Sequence, residues 1–149
     1  TLGAASGAVA GLVAITPASG FVGPVSAIII GGLGGAICYG GIMLKSKLGY
    51  DDSLDVVGIH GIGGTWGALA TGLFASAAIN PAGSDGLFFG NPGQLLIQFI
   101  SVAATMIFAF CATFIILKAI DLVIGLRVSE EDEEKGLDIS LHNETGYSL

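Results

Sequence analysis

The fold class is decided by residues 55–74, which run DVVGIHGIGGTWGALATGLF. After its first residue, this stretch holds a single ionisable side chain, His60, among apolar residues and glycines. A helix of about 20 such residues crosses the hydrocarbon core of a bilayer. The whole chain is similarly apolar, because 52% of its 149 residues are hydrophobic and 11% are charged, whereas soluble domains carry about 25% charged residues. The stretch therefore predicts a membrane span.

Apolar runs on both sides of this stretch predict an all-α, polytopic membrane protein. The four predicted membrane-spanning helices cover approximately residues 2–16, 25–44, 54–78 and 95–124. Residues 1–125 are then a transmembrane region. Residues 126–149 hold seven of the twelve acidic residues and are predicted to form a tail in water.

Local signals mark the ends of the predicted helices. Pro17 lacks a backbone donor and restricts Thr16, which ends the first helix. Asp55 lies at the start of the third helix, where an acidic side chain favours the positive end of the helix dipole. The side chains that suit its N-cap are Asp51, Asp52, Ser53 and Asp55. Lys118 and Asp121, three residues apart, are predicted to pair near the end of the fourth helix.

The basic residues predict the orientation in the membrane. Lys45 and Lys47 follow the second span, and the other three, Lys118, Arg127 and Lys135, lie near or beyond the end of the fourth. Short cytoplasmic loops accumulate Lys and Arg. With four spans, all five bases lie on one side, so both chain ends are predicted to be cytoplasmic.

Several classes of function are excluded by charge and composition. A net charge of −7 argues against a nucleic-acid partner, because phosphate binding needs clustered Lys and Arg. Cys38 and Cys111 lie in apolar runs, where cysteine is usually a small apolar filler. We therefore expect no metal and no cofactor, and no set of residues indicates an enzyme.

Glycines at four-residue spacing predict close helix contacts. The rows are Gly3, Gly7 and Gly11 in the first span, and Gly31 and Gly35 in the second. Small residues let helix backbones approach closely in lipid. The helices are therefore predicted to pack closely against other helices, and the four predicted spans lack the partners for which these glycine rows are shaped.

His60 is the candidate functional residue of the third span. Seven residues at about 1.5 Å each place it about 10 Å below the start of the helix, and an ionisable group at that depth indicates function. Val56, Gly64, Gly67 and Thr71 share its face at helical spacing. A buried imidazole is expected to be neutral, with one nitrogen donating and the other accepting. The alternative, a histidine that only packs against another helix, stays open.

Three motifs resemble the Amt/MEP/Rh ammonium transporters, most closely the bacterial Amt branch. Residues 51–69, DDSLDVVGIHGIGGTWGAL, resemble the tenth transmembrane helix, and residues 7–18, GAVAGLVAITPA, resemble the eighth. Residues 125–138, GLRVSEEDEEKGLD, resemble the cytoplasmic tail. The match to the tail continues through His142, Glu144 and Tyr147. The three motifs occur in the family's order, and the resemblance covers nearly the whole chain.

The resemblance implies a fold and a transport function. Family members are eleven-helix bundles that form homotrimers in membrane lipid, with one pore in each subunit, and this chain would be a C-terminal fragment with helices eight to eleven and the tail. Ammonium is recruited, loses its proton and crosses as ammonia through a hydrophobic pore lined by two histidines. His60 matches the second of the pair, and Val56 and Gly64 are implied to line the pore; the first histidine belongs to the fifth helix.

The tail is implied to regulate transport. Arg127, Gly136, Asp138 and Tyr147 match the family's ordered cytoplasmic tail, which packs under a neighbouring subunit and can receive PII-type signalling proteins. An alternative function is an ammonium sensor that signals through this tail, because such a sensor has the same pore motif.

The predicted orientation can be tested by cysteine labelling from outside the cell. A membrane-impermeant thiol reagent should label a cysteine placed at Ser84, between the third and fourth spans, and miss one placed at Ser46. The reverse labelling pattern would overturn the orientation.

Overall fold

The computed structural model describes residues 2–146, and over that range it is helical with no strand. This confirms the all-α prediction for the part of the chain described. The α-helices are α1 (Leu2–Ile15), α2 (Pro24–Leu48), α3 (Ile62–Phe74), α4 (Pro92–Val123), α5 (Glu130–Lys135) and α6 (Leu137–His142). Short 3₁₀ turns are formed by Thr16–Ala18 and Leu87–Phe89, and a π turn is formed by Val57–Gly61.

The chain divides into two compact units, with the boundary after Thr105 inside α4. In the first unit, α1, α2 and α3 pack against one another. One part of its core consists of Ala14, Ala18, Ile30 and Ala70, and another of Ala10, Cys38 and Ile59. Most of these side chains are small, as expected where helix backbones approach closely.

The closest approaches between the helices occur at glycines other than those in the predicted rows. A Cβ atom added at Gly34 of α2 would collide with the Cβ atom of Ala14 in α1. At Gly63 of α3 it would lie 2.8 Å from the Cys38 sulfur of α2. Gly41, Gly58 and Gly67 are equally crowded.

Within the described residues, the two glycine rows make no close contact with a neighbouring helix, in line with the expectation that the four predicted spans lack the partners for these rows. No atom outside their own helices and chain neighbours lies within 4 Å of a Cβ atom added at Gly3, Gly7, Gly11, Gly31 or Gly35. Three of these glycines, Gly3, Gly7 and Gly35, line a groove of about 320 Å³ beside α1 and α2. Spacing identified glycine-rich faces but could not tell which face has a neighbour.

The second helix extends further than the predicted 25–44. It begins at Pro24 and ends at Leu48, and Gly49 then adopts a φ of +70° and donates its N–H to the Lys45 carbonyl. Lysine in the last turn favours the negative end of the helix dipole, and glycine adopts positive φ without strain. The lysines ended the apolar run, but they did not end the helix.

The third helix is shorter than the predicted 54–78. It ends at Phe74, and Ala75 is extended. The next two amide groups bond outside any helix: Ser76 N–H donates to the Phe21 carbonyl at 2.9 Å and Ala77 N–H to Asp85 Oδ1 at 2.8 Å. These loop contacts replace the helical bonds that would have carried the helix to residue 78.

The first and fourth helices lie close to their predicted bounds of 2–16 and 95–124. The first ends at Ile15, before the 3₁₀ turn that contains Pro17. The fourth begins three residues early, at Pro92, because the fixed φ and missing donor of proline suit a first turn. Lys118 Nζ lies 3.8 Å from an Asp121 oxygen, which confirms that predicted pair.

Two helices, α2 and α4, are each long and apolar enough to cross a membrane. The first helix is apolar but shorter. Along α4, large side chains such as Phe108 and Phe110 are more than 70% exposed. Such exposure of apolar side chains suits a helix in lipid.

Gly34 offers a test of the close packing of α1 on α2. Gly34→Ala should lower the free energy of unfolding of this chain in detergent micelles by about 1–3 kcal/mol, because the added methyl overpacks the contact with Ala14. Gly35→Ala, one residue away and uncrowded, should be neutral or stabilise by up to about 1 kcal/mol through helix propensity. Equal effects of the two substitutions would contradict the packing.

Candidate functional site

His60 lies in a turn of π-helix that leads into α3. The Ile62 N–H group bonds back to the Val57 carbonyl, five residues earlier, and also to the Ile59 carbonyl. Turns of this kind are rare and occur frequently at functional sites. The apolar pattern of this stretch predicts a regular helix, and no residue pattern in it indicates the π turn.

One face of this helix is open around His60 and covered further along. His60 is exposed, Val56 is 48% exposed, and nothing lies within 4 Å of a Cβ atom added at Gly64. By contrast, Gly67 lies against the Ala14 carbonyl, and Thr71 is buried. Of the residues expected to share one face, Val56, His60 and Gly64 form the open part, which we call the His60 face.

The opposite side of the π turn is packed against α2. Gly58 and Ile59 are buried. A Cβ atom added at Gly58 would lie 2.9 Å from a side-chain carbon of Ile42, and the Cys38 sulfur is 3.6 Å from the Ile59 carbonyl oxygen that accepts its hydrogen bond. The turn therefore rests on α2 while its histidine faces away from the buried residues.

Polar contacts hold the residues that precede the turn. The Asp52 carboxylate accepts the Val56 N–H at 2.8 Å and the Val57 N–H at 2.9 Å, and so provides the cap expected in this region. Asp55 lies directly before the first helical residue, with a φ of +56°, and its carbonyl accepts the Ile59 N–H. Its carboxylate is paired with Lys45 of α2.

In the second unit, α5 is capped and braced by side chains. The Ser129 hydroxyl accepts the Asp132 N–H at 3.2 Å, as an N-cap does, and donates to the Asp132 carboxylate at 2.7 Å. Arg127 donates two hydrogen bonds to Glu133, each 2.9 Å long. These bonds from the guanidinium lower the pKa of the Glu133 carboxyl below its ordinary value.

Gly136 and Asp138 shape the end of the tail. Gly136 separates α5 from α6 with a φ of +92°, where a side chain would be strained. The Asp138 carboxylate accepts the Gly146 N–H and the Ile139 N–H, each at 3.0 Å. These two bonds lower the pKa of the Asp138 carboxyl below its ordinary value, and the bond from Gly146 has the larger effect. Tyr147, also expected in the tail site, lies outside the described residues.

The predicted residues thus form two separate groups. Val56, His60 and Gly64 lie together in the first unit, next to Asp55, while Arg127, Gly136 and Asp138 belong to the second. Among residues 2–146, no three His, Cys, Asp or Glu side chains are grouped so as to hold a metal ion.

Comparison with known proteins identifies the family. The sequence profile of the Ammonium Transporter Family matches residues 1–147. The chain belongs to this family. Ammonium transporters with similar sequences come from Bacillus subtilis (strain 168), 56% identical over 98% of this chain and 36% of the relative, and from Archaeoglobus fulgidus, whose Amt1 is 49% identical over 99% of this chain and 37% of the relative.

The family is also matched in three dimensions. The crystal structure of Saccharomyces cerevisiae Mep2 is 36% identical and superposes on 85% of this chain, and 30% of its own, with a TM-score of 0.78. The resemblance to ammonium transporters is therefore confirmed, and the chain is a member of a family of membrane transport proteins. It spans about a third of the length of these relatives.

The hydrogen bonds to Asp138 predict how the tail of this family member responds to acid. Because the folded-state pKa is lowered, the carboxylate's contribution to stability is complete above the pKa of an unfolded aspartate, about 3.9, and is lost as the pH falls through the lowered value. The Gly146 amide resonance should therefore titrate with a midpoint below that of an ordinary aspartate. The Asp138→Asn variant should lack this titration, and Glu144→Gln should retain it; a midpoint at the ordinary value would contradict the contact.

Proposed function

We propose that this chain takes part in the transport of ammonium or ammonia across the cell membrane, through a hydrophobic pore lined by two histidines, one of which is His60. The observation that carries the proposal is the His60 face: an ionisable side chain on an otherwise apolar helix, exposed beside Val56 and Gly64. Relatives named ammonium transporters match almost the whole chain.

The chemistry of the His60 face suits ammonia better than ammonium. Moving a bare ion from water into an apolar channel costs a large amount of free energy. The cost is much smaller for a neutral molecule that is offered hydrogen bonds in the channel. A neutral imidazole donates with one nitrogen and accepts with the other. Gly64 has no side chain, and so leaves space for a small solute next to the ring.

A pore of this kind needs more helices than the chain contains. We assign to this chain four spans of an eleven-helix bundle: α1 with its 3₁₀ turn, α2, the helical residues 57–74, and α4. Residues 57–74 extend for about 25 Å, close to the thickness of the hydrocarbon core. In the complete protein, the other histidine and the helices that cover the His60 face come from the remainder of the bundle, and the bundles form a homotrimer in membrane lipid.

The tail is assigned a regulatory role on the cytoplasmic side. Its support is local order: the cap at Ser129, the Arg127–Glu133 ion pair and the closure of Asp138 on Gly146 hold short helices that would be marginal alone. An ordered acidic surface suits contact with a neighbouring subunit or a PII-type signalling protein. The same order favours the second candidate function, an ammonium sensor whose tail passes on the signal.

Substitution of His60 tests the pore in the full-length transporter. His60→Glu should admit cations, because a fixed negative charge attracts ammonium and potassium as ions. His60→Ala should still fold, because disturbing one hydrogen-bonding group costs about 1–3 kcal/mol, but should change the ratio of current to ammonium uptake. Both quantities are measured in proteoliposomes and normalised to folded trimer.

Two outcomes would oppose the transport proposal. If current, uptake and selectivity per folded trimer are unchanged in both variants, His60 is a packing residue. If the parent protein shows little net uptake but its tail gives an ammonium-dependent signal, the sensor function replaces transport.

A further inference from the structure

Lys45 occupies an unusual position at the end of α2. Its ammonium group donates to the Asp55 carboxylate and, at 2.8 Å, to the Asp52 carbonyl oxygen. The Lys45 and Asp55 side chains are 22% and 27% exposed, so water screens this pair less than a surface pair. One lysine thus holds two points of the segment that leads into the π turn.

The segment it holds has a conformation that needs support. Asp55 has a φ of +56°, which a residue other than glycine adopts at some cost. The contact with Lys45 fixes its side chain, and the Asp52 carboxylate binds the N–H groups of Val56 and Val57, the first residues of the helix. We call Lys45, Asp52 and Asp55, with these contacts, the lysine clamp.

The clamp lies one turn from His60. The Asp55 carbonyl accepts the Ile59 N–H, so the clamped residue is hydrogen-bonded directly into the turn that carries the histidine. On the other side of the turn, Gly58 rests on α2 without room for a side chain. The turn is thus held at two places, by the clamp at its beginning and by the packing of Gly58 on α2.

We propose that Lys45 is a positioning residue for His60: through its two contacts it sets the conformation of Asp55 and maintains the π turn that presents the imidazole to the conduction path. The effect on transport rests on the proposed function; the effect on the turn does not. Lys45 needs no contact with the transported molecule in this role.

The chain offers well-matched variants. Lys45→Met keeps the apolar stem and removes the charge. Asp55→Asn keeps the shape of the side chain and tolerates positive φ, so it tests the ion pair with little risk to folding. Lys45→Arg retains a charged donor. Lys47→Met is the control, because Lys47 lies in the same last turn of α2 but is exposed.

The experiment compares these variants of the full-length protein in proteoliposomes by two measurements. The first is hydrogen–deuterium exchange of the amides of residues 57–61, and the second is ammonium uptake at several concentrations, per folded trimer. Lys45→Met, Asp55→Asn and the double variant should all exchange faster than the parent and lose maximal uptake by about tenfold, with little change in the half-saturating concentration. The double variant should be no worse than either single one, and Lys45→Arg should retain most of the uptake.

Three results would overturn the proposal. The first is exchange at residues 57–61 that is the same as in the parent, and the second is losses that multiply in the double variant. The third is uptake per folded trimer that is unchanged from the parent in Lys45→Met and Asp55→Asn. If Lys45→Met does not fold, Asp55→Asn decides. If the parent itself takes up no ammonium, the proposed function fails, while the exchange measurement still decides whether the clamp maintains the turn.

Discussion

The first unit depends on close contact between helices at glycine residues. Where α1, α2 and α3 meet, Gly34, Gly63 and Gly67 leave no room for a Cβ atom. In lipid, apolar side chains gain little by turning away from their surroundings, so helices associate through close packing and through hydrogen bonds between them. The Trp66 indole adds one such bond from α3, donating to the Ile30 carbonyl of α2 at 3.0 Å. The glycine contacts and this hydrogen bond together hold α1, α2 and α3 against one another.

Many of the polar contacts of this unit lie where the end of α2 meets the segment that leads into the π turn. Lys45 comes from the end of α2, Asp52 and Asp55 come from the following segment, and all three lie at the beginning of the helix that carries His60. Charged groups at that position can stay near water while they hold a turn that continues into the apolar region. Rigid packing and a polar clamp thus act on the same five residues, 57–61, from two directions.

The tail is built on a different principle. Its helices, α5 and α6, are six residues each, too short to be stable by backbone hydrogen bonds alone. Side chains supply additional hydrogen bonds. Ser129 caps α5, Arg127 donates two bonds to Glu133, and the Asp138 carboxylate accepts the Gly146 N–H. Because the arginine and aspartate contacts are charged and exposed, salt and pH act on them directly.

The sequence by itself determined the features that follow from composition and local pattern. Long apolar runs predicted helices, and the bounds of α1 and α4 were close because proline and charge mark them. The motif around His60 and the acidic tail identified the family, which the profile match confirms. Position on a helix also placed Val56, His60 and Gly64 together. These properties depend on residues near one another in the chain.

Only the tertiary structure decided which faces are covered. Among the described residues, nothing from a neighbouring helix lies within 4 Å of a Cβ atom added at the evenly spaced Gly3, Gly7 and Gly11, while Gly34 and Gly63 are crowded. Contact depends on the partner helix and not on spacing. The early end of α3 depends on Phe21, which is distant in sequence, and on Asp85 in the loop that follows the helix. The π turn at His60 lies between the clamp from Lys45 and the packing of Gly58 on α2, and a local pattern cannot reveal contacts made from another helix.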